Sequence, residues 1–251
     1  MLHRTEAIVL KTVPFSEADL IVTFLSLDWG VLKTFAKSPR KVTSRFGSSL
    51  EPLTYSKISF WGKEDADLPR LTQSDIIKPF QSIRDRFESF LRVTELIELT
   101  LNLLPEREPN GEVFRLLRGT LDTIDGDLGG ASERQGNLLE RLAVCYKVKL
   151  LDLMGYGPSL DGCARCSSAG SNFYLSHGSV ICGACAREMD APMRLSDGLR
   201  LFYAALRRWE IAKVNRLRPS EALLSEVSVL LDAHLRYTLA KPLKTRAMAV
   251  K

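Results

Sequence analysis

Cys163-Ala-Arg-Cys166 and Cys182-Gly-Ala-Cys185, with fifteen residues between them, are the stretch that decides the fold of the C-terminal half. Two residues between the cysteines of a pair let one tight turn aim both thiolates at a single ion, and two such turns complete a tetrahedron. The spacing matches that of structural zinc sites. We therefore predict one structural Zn²⁺ held by Cys163, Cys166, Cys182 and Cys185, with Gly162 and Gly183 supplying positive φ in the turns.

Three other chemistries use the same four residues: a pair of disulfides, a dithiol redox centre, or an iron–sulfur cluster. A fifth cysteine, Cys145, is predicted to be a buried thiol in a helix, and an odd cysteine count argues against disulfides. A catalytic zinc usually keeps an open position and uses histidine or carboxylate ligands, so four thiolates favour a structural metal. His177 is interpreted as a loop residue, or alternatively as a substitute or supporting ligand. Phe173 to Leu175 and Val180-Ile181 are candidates for a short hairpin between the pairs.

Composition bounds the class of protein. The chain has 251 residues, and 45% hydrophobic residues are enough for a core. No apolar run approaches the ~18 residues of a membrane helix, and the first residues lack the apolar region of a secretory signal. We expect a soluble cytoplasmic protein without a membrane partner, where reducing conditions favour metal over disulfides.

Basic charge is clustered at both ends of the chain. The net charge is +5; residues 1–80 carry +2, residues 81–160 −3, residues 161–193 −1 and residues 194–251 +7. The segment from Val31 to Leu50 contains no acid. Clustered basic charge is typical of proteins that bind polyanions, although a solvated surface would look the same. We predict that a polyanion such as DNA is contacted by Lys33, Lys37, Arg40, Lys41 and Arg45.

The first 80 residues read as short strands rich in β-branched and aromatic side chains. The strand candidates are Thr5 to Leu10, Leu20 to Leu27, Val31 to Ala36, Leu53 to Phe60 and Leu71 to Ile77. Five short strands in so little sequence predict a small β-barrel of the OB type. Phe35 and Phe46 are candidates for stacking on bases, with a core position as the alternative for each.

Near Pro79 the hydrophobic period changes to that of helices. The helical patterns are Phe87 to Leu104, Val113 to Ile124, Leu138 to Met154, Ser196 to Trp209 and Leu223 to Leu235. Asn110 and Ser196 are the predicted N-caps. The fold class is therefore α+β with two domains: an OB-fold domain at residues 1–80, and an all-α bundle at residues 81–251 interrupted at about 160–190 by the zinc module.

Catalytic motifs are missing from the sequence. There is no phosphate-binding G-x4-G-K-[ST] loop, no H-E-x-x-H, no G-x-S-x-G and no G-x-G-x-x-G, and the chain has three histidines. The sequence favours a binding protein over an enzyme.

Several stretches resemble the RecO family of bacterial recombination mediators over nearly the whole chain. They are the N-terminal run Glu6 to Leu20, the Gly30 turn, Ala36 to Lys41, the segment from Leu150 through the first cysteine pair, and Gly178 to Cys185. The chain departs from the family where glycines are common. It has Ser167-Ser168 after the first pair, His177-Gly178 before the second, and Ala36 and Ser38 around Lys37.

The resemblance implies a fold and a set of partners. It implies an OB-fold, a helical bundle and a zinc module, and binding of single- and double-stranded DNA with annealing of complementary strands. It also implies work with RecR, contact with the acidic C-terminal tail of the single-strand binding protein, and indirect help to RecA loading in DNA repair and recombination at the nucleoid.

Two interpretations from other classes stay open. One is a zinc-ribbon protein–protein adaptor or transcription-related factor, and the other is a thiol oxidoreductase that uses one C-x-x-C. The helices after the zinc module carry Arg207 and Arg208 beside Trp209, which are candidates for capturing an acidic tail with an apolar end. Buried core for Trp209 and a solvated face for the arginines are the alternative.

Overall fold

The computed structural model describes residues 1–39, 46–63, 66–128, 135–186, 191–240 and 243–245, with side chains of residues 135–137 left aside. The described residues form a mixed α+β structure in which strands come first and helices follow. The chain divides into two compact units. One comprises Met1–Phe87 and Leu103–Asp125, and the other Glu88–Asn102 and Gly126–Lys251.

The first unit contains a sheet that closes on itself. Its strands are β1 (Leu2–Pro14), β2 (Leu20–Ser26), β3 (Gly30–Ala36), β4 (Tyr55–Trp61) and β5 (Arg70–Lys78). They follow the order β1-β2-β3-β5-β4, and β1 also pairs with β4, so the five strands form a closed barrel. The strands lie where the hydrophobic alternation predicts them, because one face of each is buried.

The barrel core is built from alternate positions along the strands. Ala7 and Val9 of β1 and Val22 and Phe24 of β2 point inward. Phe46 also packs into this core and is 3% exposed, so the interpretation of Phe46 as a base-stacking residue is wrong. A buried phenylalanine has no free face for a base.

Helical segments complete the first unit. They are α1 (Gln81–Arg84) and α3 (Gly111–Leu128, of which residues up to Asp125 belong here). The side chain of Asn110 accepts a 3.0 Å hydrogen bond from the Val113 amide, which confirms Asn110 as the N-cap of α3. Phe114 packs against the Tyr55 ring at 6.2 Å between centroids. The helix therefore covers one wall of the barrel.

The second unit is a group of helices around a buried polar network. Its elements are α2 (Phe87–Leu103), α4 (Gln135–Leu153), α5 (Asp197–Arg208), the 3₁₀ helix Ile211–Arg216 and α6 (Glu221–Leu239). Ser196 accepts a 3.0 Å hydrogen bond from the Leu199 amide and caps α5 as predicted. Lys147 Nζ lies 2.7 Å from Glu95 Oε1, and both side chains are buried.

A small sheet joins the helices in this unit. It consists of β6 (Asn172–Tyr174), β7 (Ser179–Val180) and β8 (Met193–Arg194), in the order β7-β6-β8, with the 3₁₀ helix Leu175–His177 in the hairpin. The hairpin between the cysteine pairs was predicted. The pairing of β8 was not, because a strand of two residues has no periodicity of its own.

Candidate metal centre and nucleic-acid interface

The first cysteine pair sits in a tight turn closed by backbone hydrogen bonds. The Cys163 amide donates to the Ser168 carbonyl at 2.9 Å, and the Ser167 amide donates to the Cys163 carbonyl at 2.8 Å. Ser167 has a φ of 60°, in the left-handed region. The expectation that Gly162 supplies positive φ here is wrong, because the turn reverses at Ser167, after the pair instead of before it.

The second pair forms a similar turn, tied to the first. The amides of Cys185 and Ala186 both donate to the Cys182 carbonyl at 3.0 Å. Gly183 is not among the described residues with positive φ, so that expectation is also wrong; the left-handed glycine here is Gly178, with a φ of 57°. The Ala164 amide donates to the Val180 carbonyl at 2.9 Å, which fixes the two turns face to face.

The four sulfur atoms converge on one point. All four Sγ atoms lie within 4.8 Å of one another. The Cys166 and Cys182 sulfurs are 3.5 Å apart, far beyond the ~2.05 Å of a disulfide bond. With metal–sulfur bonds of ~2.3 Å, a tetrahedral site needs sulfurs about 3.8 Å apart. The cluster is therefore able to bind a metal ion, and His177 is exposed and not part of it.

The acidity of the thiols fits a cation site. A backbone hydrogen bond from Cys182 lowers the pKa of the Cys163 thiol to about 6. Hydrogen bonds with the side chain and backbone of Ser168 lower the pKa of Cys166. Hydrogen bonds with Cys166 and Cys182 raise the pKa of Cys185 to about 12. Four adjacent thiols do not all ionise unless a cation balances the charge, so metal binding would release the last protons.

A histidine packs against the hairpin that carries the cysteines. His234 of α6 is buried, and its Nε2 lies 2.7 Å from the Tyr156 carbonyl oxygen. Its ring meets Phe173 of β6 at 5.9 Å between centroids. A side chain in place of the Gly178 hydrogen would press on the ring of His234. His234 is thus a packed core residue, as its place on an apolar helix face predicts.

The predicted DNA-contacting residues are only partly described. Lys33 of β3 forms an ion pair with Glu106, a partner no local sequence pattern reveals. Lys37 follows β3 and is exposed. The Asp19 carboxylate accepts a 2.7 Å hydrogen bond from the Ser38 amide, and this bond holds the corner next to Lys37. The remaining predicted residues lie outside the described part of the chain: Arg40, Lys41 and Arg45.

The residues predicted to bind a protein partner lie at the end of α5. Arg207 is 3.0 Å from Asp152 and 4.0 Å from Asp161, and its pKa is raised chiefly by the hydrogen bond to Asp152. Arg208 is exposed, and Trp209 is 37% exposed at the C-cap of the helix. The tryptophan is therefore not buried core, but one of the two arginines is already engaged with acids.

Ser168 supports one of the predicted metal ligands but was not identified from the sequence. Ser168 Oγ lies 3.3 Å from the Cys166 sulfur and supports it. Its position directly after the turn was the available signal. Across the described ranges, no helix combines the length and apolar character that crossing a membrane requires.

Comparison with known proteins gives consistent matches over nearly the whole chain. The family model described as "Recombination protein O N terminal" matches residues 1–80, and "Recombination protein O C terminal" matches residues 86–247. The "DNA repair protein RecO" of Thermodesulfovibrio yellowstonii is 40% identical over 94% of this chain and 92% of its own length. Proteins of the same name from Frankia casuarinae and Syntrophus aciditrophicus are 34% and 32% identical, covering 93% and 97% of this chain and 93% of each relative.

Proposed function

The chain belongs to the Recombination protein O family of DNA repair proteins, and we propose that it binds and anneals DNA strands as a recombination mediator. The match of both halves to this family is the observation that carries the proposal. Lys and Arg neutralise phosphates and release counterions, which stabilises contact with any sequence. On this proposal the protein acts by binding and has no catalytic residues.

We assign the barrel to the OB type and to DNA binding. The strand order β1-β2-β3-β5-β4 with closure through β1 and β4 supports this assignment. We keep the functional division predicted from the sequence, with a DNA-binding domain at residues 1–80 and a helical domain at residues 81–251.

Contact with phosphates is assigned to the basic segment after β3. Lys37 is its clearest member, because it is exposed at a corner fixed by Asp19. Lys33 shares its charge with Glu106, so its contribution is smaller. We retain the other predicted contacts on sequence grounds alone: Arg40, Lys41 and Arg45.

Zn²⁺ is the proposed occupant of the cysteine cluster. Four thiolates of one kind suit a closed tetrahedral site, and such a site supplies folding free energy and no chemistry. Cys163, Cys166, Cys182 and Cys185 would hold the ion. Iron would also fit four thiolates, and metal analysis of purified protein distinguishes the two.

The proposed partners follow from family membership. They are RecR, the C-terminal tail of the single-strand binding protein, and RecA indirectly, in the cytoplasm at the nucleoid. We place the tail at the end of α5, where Arg208 and Trp209 join positive charge to exposed apolar surface. Arg208→Glu tests this site more cleanly than Arg207→Glu, because Arg207 also holds Asp152. Unchanged affinity of Arg208→Glu for a tail peptide would move the site elsewhere.

Strand annealing across a salt series is the decisive experiment. The full chain, with its metal content measured, should accelerate annealing of complementary oligonucleotides at low salt and lose this activity as salt rises. Lys37→Gln should weaken single-strand binding several-fold. Lys57→Gln is the matched control on the same barrel, because the strand register places Lys57 between two acidic residues, Glu6 and Asp75.

The runner-up is a protein–protein adaptor built on the zinc module. It predicts that neither annealing nor salt-sensitive DNA binding is found in metal-loaded protein. That result would overturn the proposed function.

A further inference from the structure

A row of side chains crosses the outer wall of the barrel at one level. The strand register pairs Phe35 of β3 with Arg70 of β5, and Arg70 with Trp61 of β4. Trp61 in turn pairs with Leu2 of β1. Neighbouring strands lie ~4.8 Å apart, and directly paired residues project to the same face. The three residues from Phe35 to Trp61 therefore stand side by side over about 10 Å.

The row faces outward. Phe60 and Leu71, the chain neighbours of Trp61 and Arg70, point into the barrel core. Successive side chains of a strand alternate between the two faces, so Trp61 and Arg70 point away from the core. Trp61 is 61% exposed, Arg70 is exposed and Phe35 is half-buried. Trp61 and its register partner Leu2, which is 56% exposed, present adjacent apolar surface, and such patches mark interaction sites.

Phe15 extends the row beyond β3. Its ring lies 5.7 Å from the Phe35 ring at an interplanar angle of 82°, and it is 62% exposed. The Phe15 amide donates to the Asp19 carbonyl at 3.0 Å, which fixes the β1–β2 turn that carries the ring. Because of its exposure, most of the Phe15 ring is accessible to a ligand.

Basic side chains lie beside the row at both of its ends. Arg4 pairs with Ser59 on β4, one diagonal step from Trp61, and is exposed. Lys37 stands two residues beyond Phe35. Within the ranges that the structure describes, Arg4, Lys37 and Arg70 form no ion pair, whereas Lys33, further down β3, is held by Glu106.

We propose that Phe15, Phe35, Arg70 and Trp61 form a track on which successive bases of single-stranded nucleic acid stack. Arg4 and Lys37 contact the phosphates beside the track. Aromatic rings and the flat guanidinium group of arginine stack on any base, so the track is indifferent to sequence. At ~3.4 Å per nucleotide, the roughly 10 Å from Phe35 to Trp61 accommodates about three nucleotides, and Phe15 extends the track beyond them. This inference rests on the proposed DNA binding and assigns where the bases lie.

Stacking of a base on Trp61 can be detected directly, because it should quench the fluorescence of this tryptophan. The chain contains three tryptophans. We expect oligo-dT to quench the intrinsic fluorescence of the full-length protein, and Trp61→Phe to abolish that quenching while most of the affinity remains. Trp61→Ala should weaken oligo-dT binding about tenfold, as loss of one stacked base does. Heparin, a polyanion without bases, should bind without quenching.

A second pair of variants separates stacking from charge. Arg4→Gln and Lys37→Gln should each reduce the slope of log K against log salt by about 0.7, the value for one phosphate on a single strand. Phe87→Ala is the control for loss of an exposed aromatic, because Phe87 is 79% exposed and lies outside the row. It should bind as the wild type does, and thermal melting should show that all variants are folded.

Each contrary outcome has a distinct meaning. If quenching persists in Trp61→Phe, or if Trp61→Ala binds normally while Lys37→Gln is weakened, the track is wrong and the proposed function stands. If the wild-type protein binds no oligonucleotide, both fail. If poly-glutamate quenches Trp61 as strongly as oligo-dT, the row is a docking surface for an acidic protein segment and the proposal is overturned.

Discussion

Two serines occupy backbone positions that glycine tolerates better. Ser38 and Ser167 have φ values of 55° and 60°. Both are non-glycine residues in the left-handed region. A left-handed conformation costs a residue with a side chain ~1–2 kcal/mol. The two serines therefore cost stability but leave the turns in place.

Ser167→Gly should raise the free energy of unfolding of the metal-loaded protein by about 1 kcal/mol, because it removes the strain at positive φ. Chemical denaturation measures this. Ser171→Gly is the control, since Ser171 is not among the residues with positive φ and glycine there adds only freedom to the unfolded chain. A Ser167→Gly protein no more stable than the wild type would contradict the strain argument.

Stability should depend on pH through His234. Burial lowers the pKa of His234, and its Nδ1 has no hydrogen-bond partner. Below the unfolded pKa of about 6.5, the unfolded chain binds a proton that the folded chain binds less readily. The unfolding free energy should therefore fall as pH drops from about 7 towards about 5, and less so in His234→Gln. Equal pH dependence in both proteins would exclude His234 as the cause.

At the scale of elements, a buried ion pair joins α2 to α4. Lys147 and Glu95 are both buried, and Asp232 of α6 lies 3.7 Å from the Lys147 ammonium. Lys147→Met should destabilise the protein by about 3–5 kcal/mol, because it removes the buried ammonium that faces the buried Glu95 carboxylate, and Arg92, 2.9 Å from Glu95, is more exposed and compensates less. Thermal or chemical unfolding measures the loss.

The control for this change is an exposed pair. Lys213 and Glu210 are 2.9 Å apart on the surface, so Lys213→Met should cost under about 1 kcal/mol. Similar losses in the two variants would mean that burial does not set the cost of Lys147→Met.

Elements with local signals could be read from the sequence, and elements made by distant partners could not. The strands followed from alternation, and the helix starts at Asn110 and Ser196 followed from capping chemistry. The pairing of Lys33 with Glu106 joins residues far apart in the chain. The aromatic row depends on the register between β3 and β5, which a sequence pattern does not specify.

For the whole molecule, the cysteine pattern was the most informative part of the site, because four ligands of one type at fixed spacing permit few arrangements. The DNA-contacting residues were harder to predict, since exposed lysines carry no signal that separates a binding surface from a solvated one.

Metal removal should affect the two units differently. All four cysteines belong to the unit of Glu88–Asn102 and Gly126–Lys251. Chelation or Cys166→Ser should therefore lower the Tm of that unit, while binding of a short oligonucleotide by the barrel persists. Each lost kcal/mol lowers Tm by about 2–4 °C.

The matched variant for this experiment is Cys145→Ala. Cys145 is buried away from the cluster, and burial raises its pKa to about 12. This variant should keep one metal ion per chain, and Cys166→Ser should lose it. Stoichiometric metal in Cys166→Ser would contradict the assignment of the ligands.

The contacts of Gly30 determine which fragments of this protein can be expected to fold. The backbone of Glu108 lies where a side chain at position 30 would be, and the Arg107 amide donates to the Val31 carbonyl at 3.0 Å. The segment from Leu103 to Asp125 therefore belongs to the same compact unit as the barrel, although the intervening residues Glu88–Asn102 of α2 belong to the other unit. A recombinant fragment ending at residue 80 would expose apolar surface that this segment covers and would be prone to aggregation. The two units alternate along the chain, so no single cut separates them. A fragment designed to contain the complete barrel should therefore extend beyond residue 125.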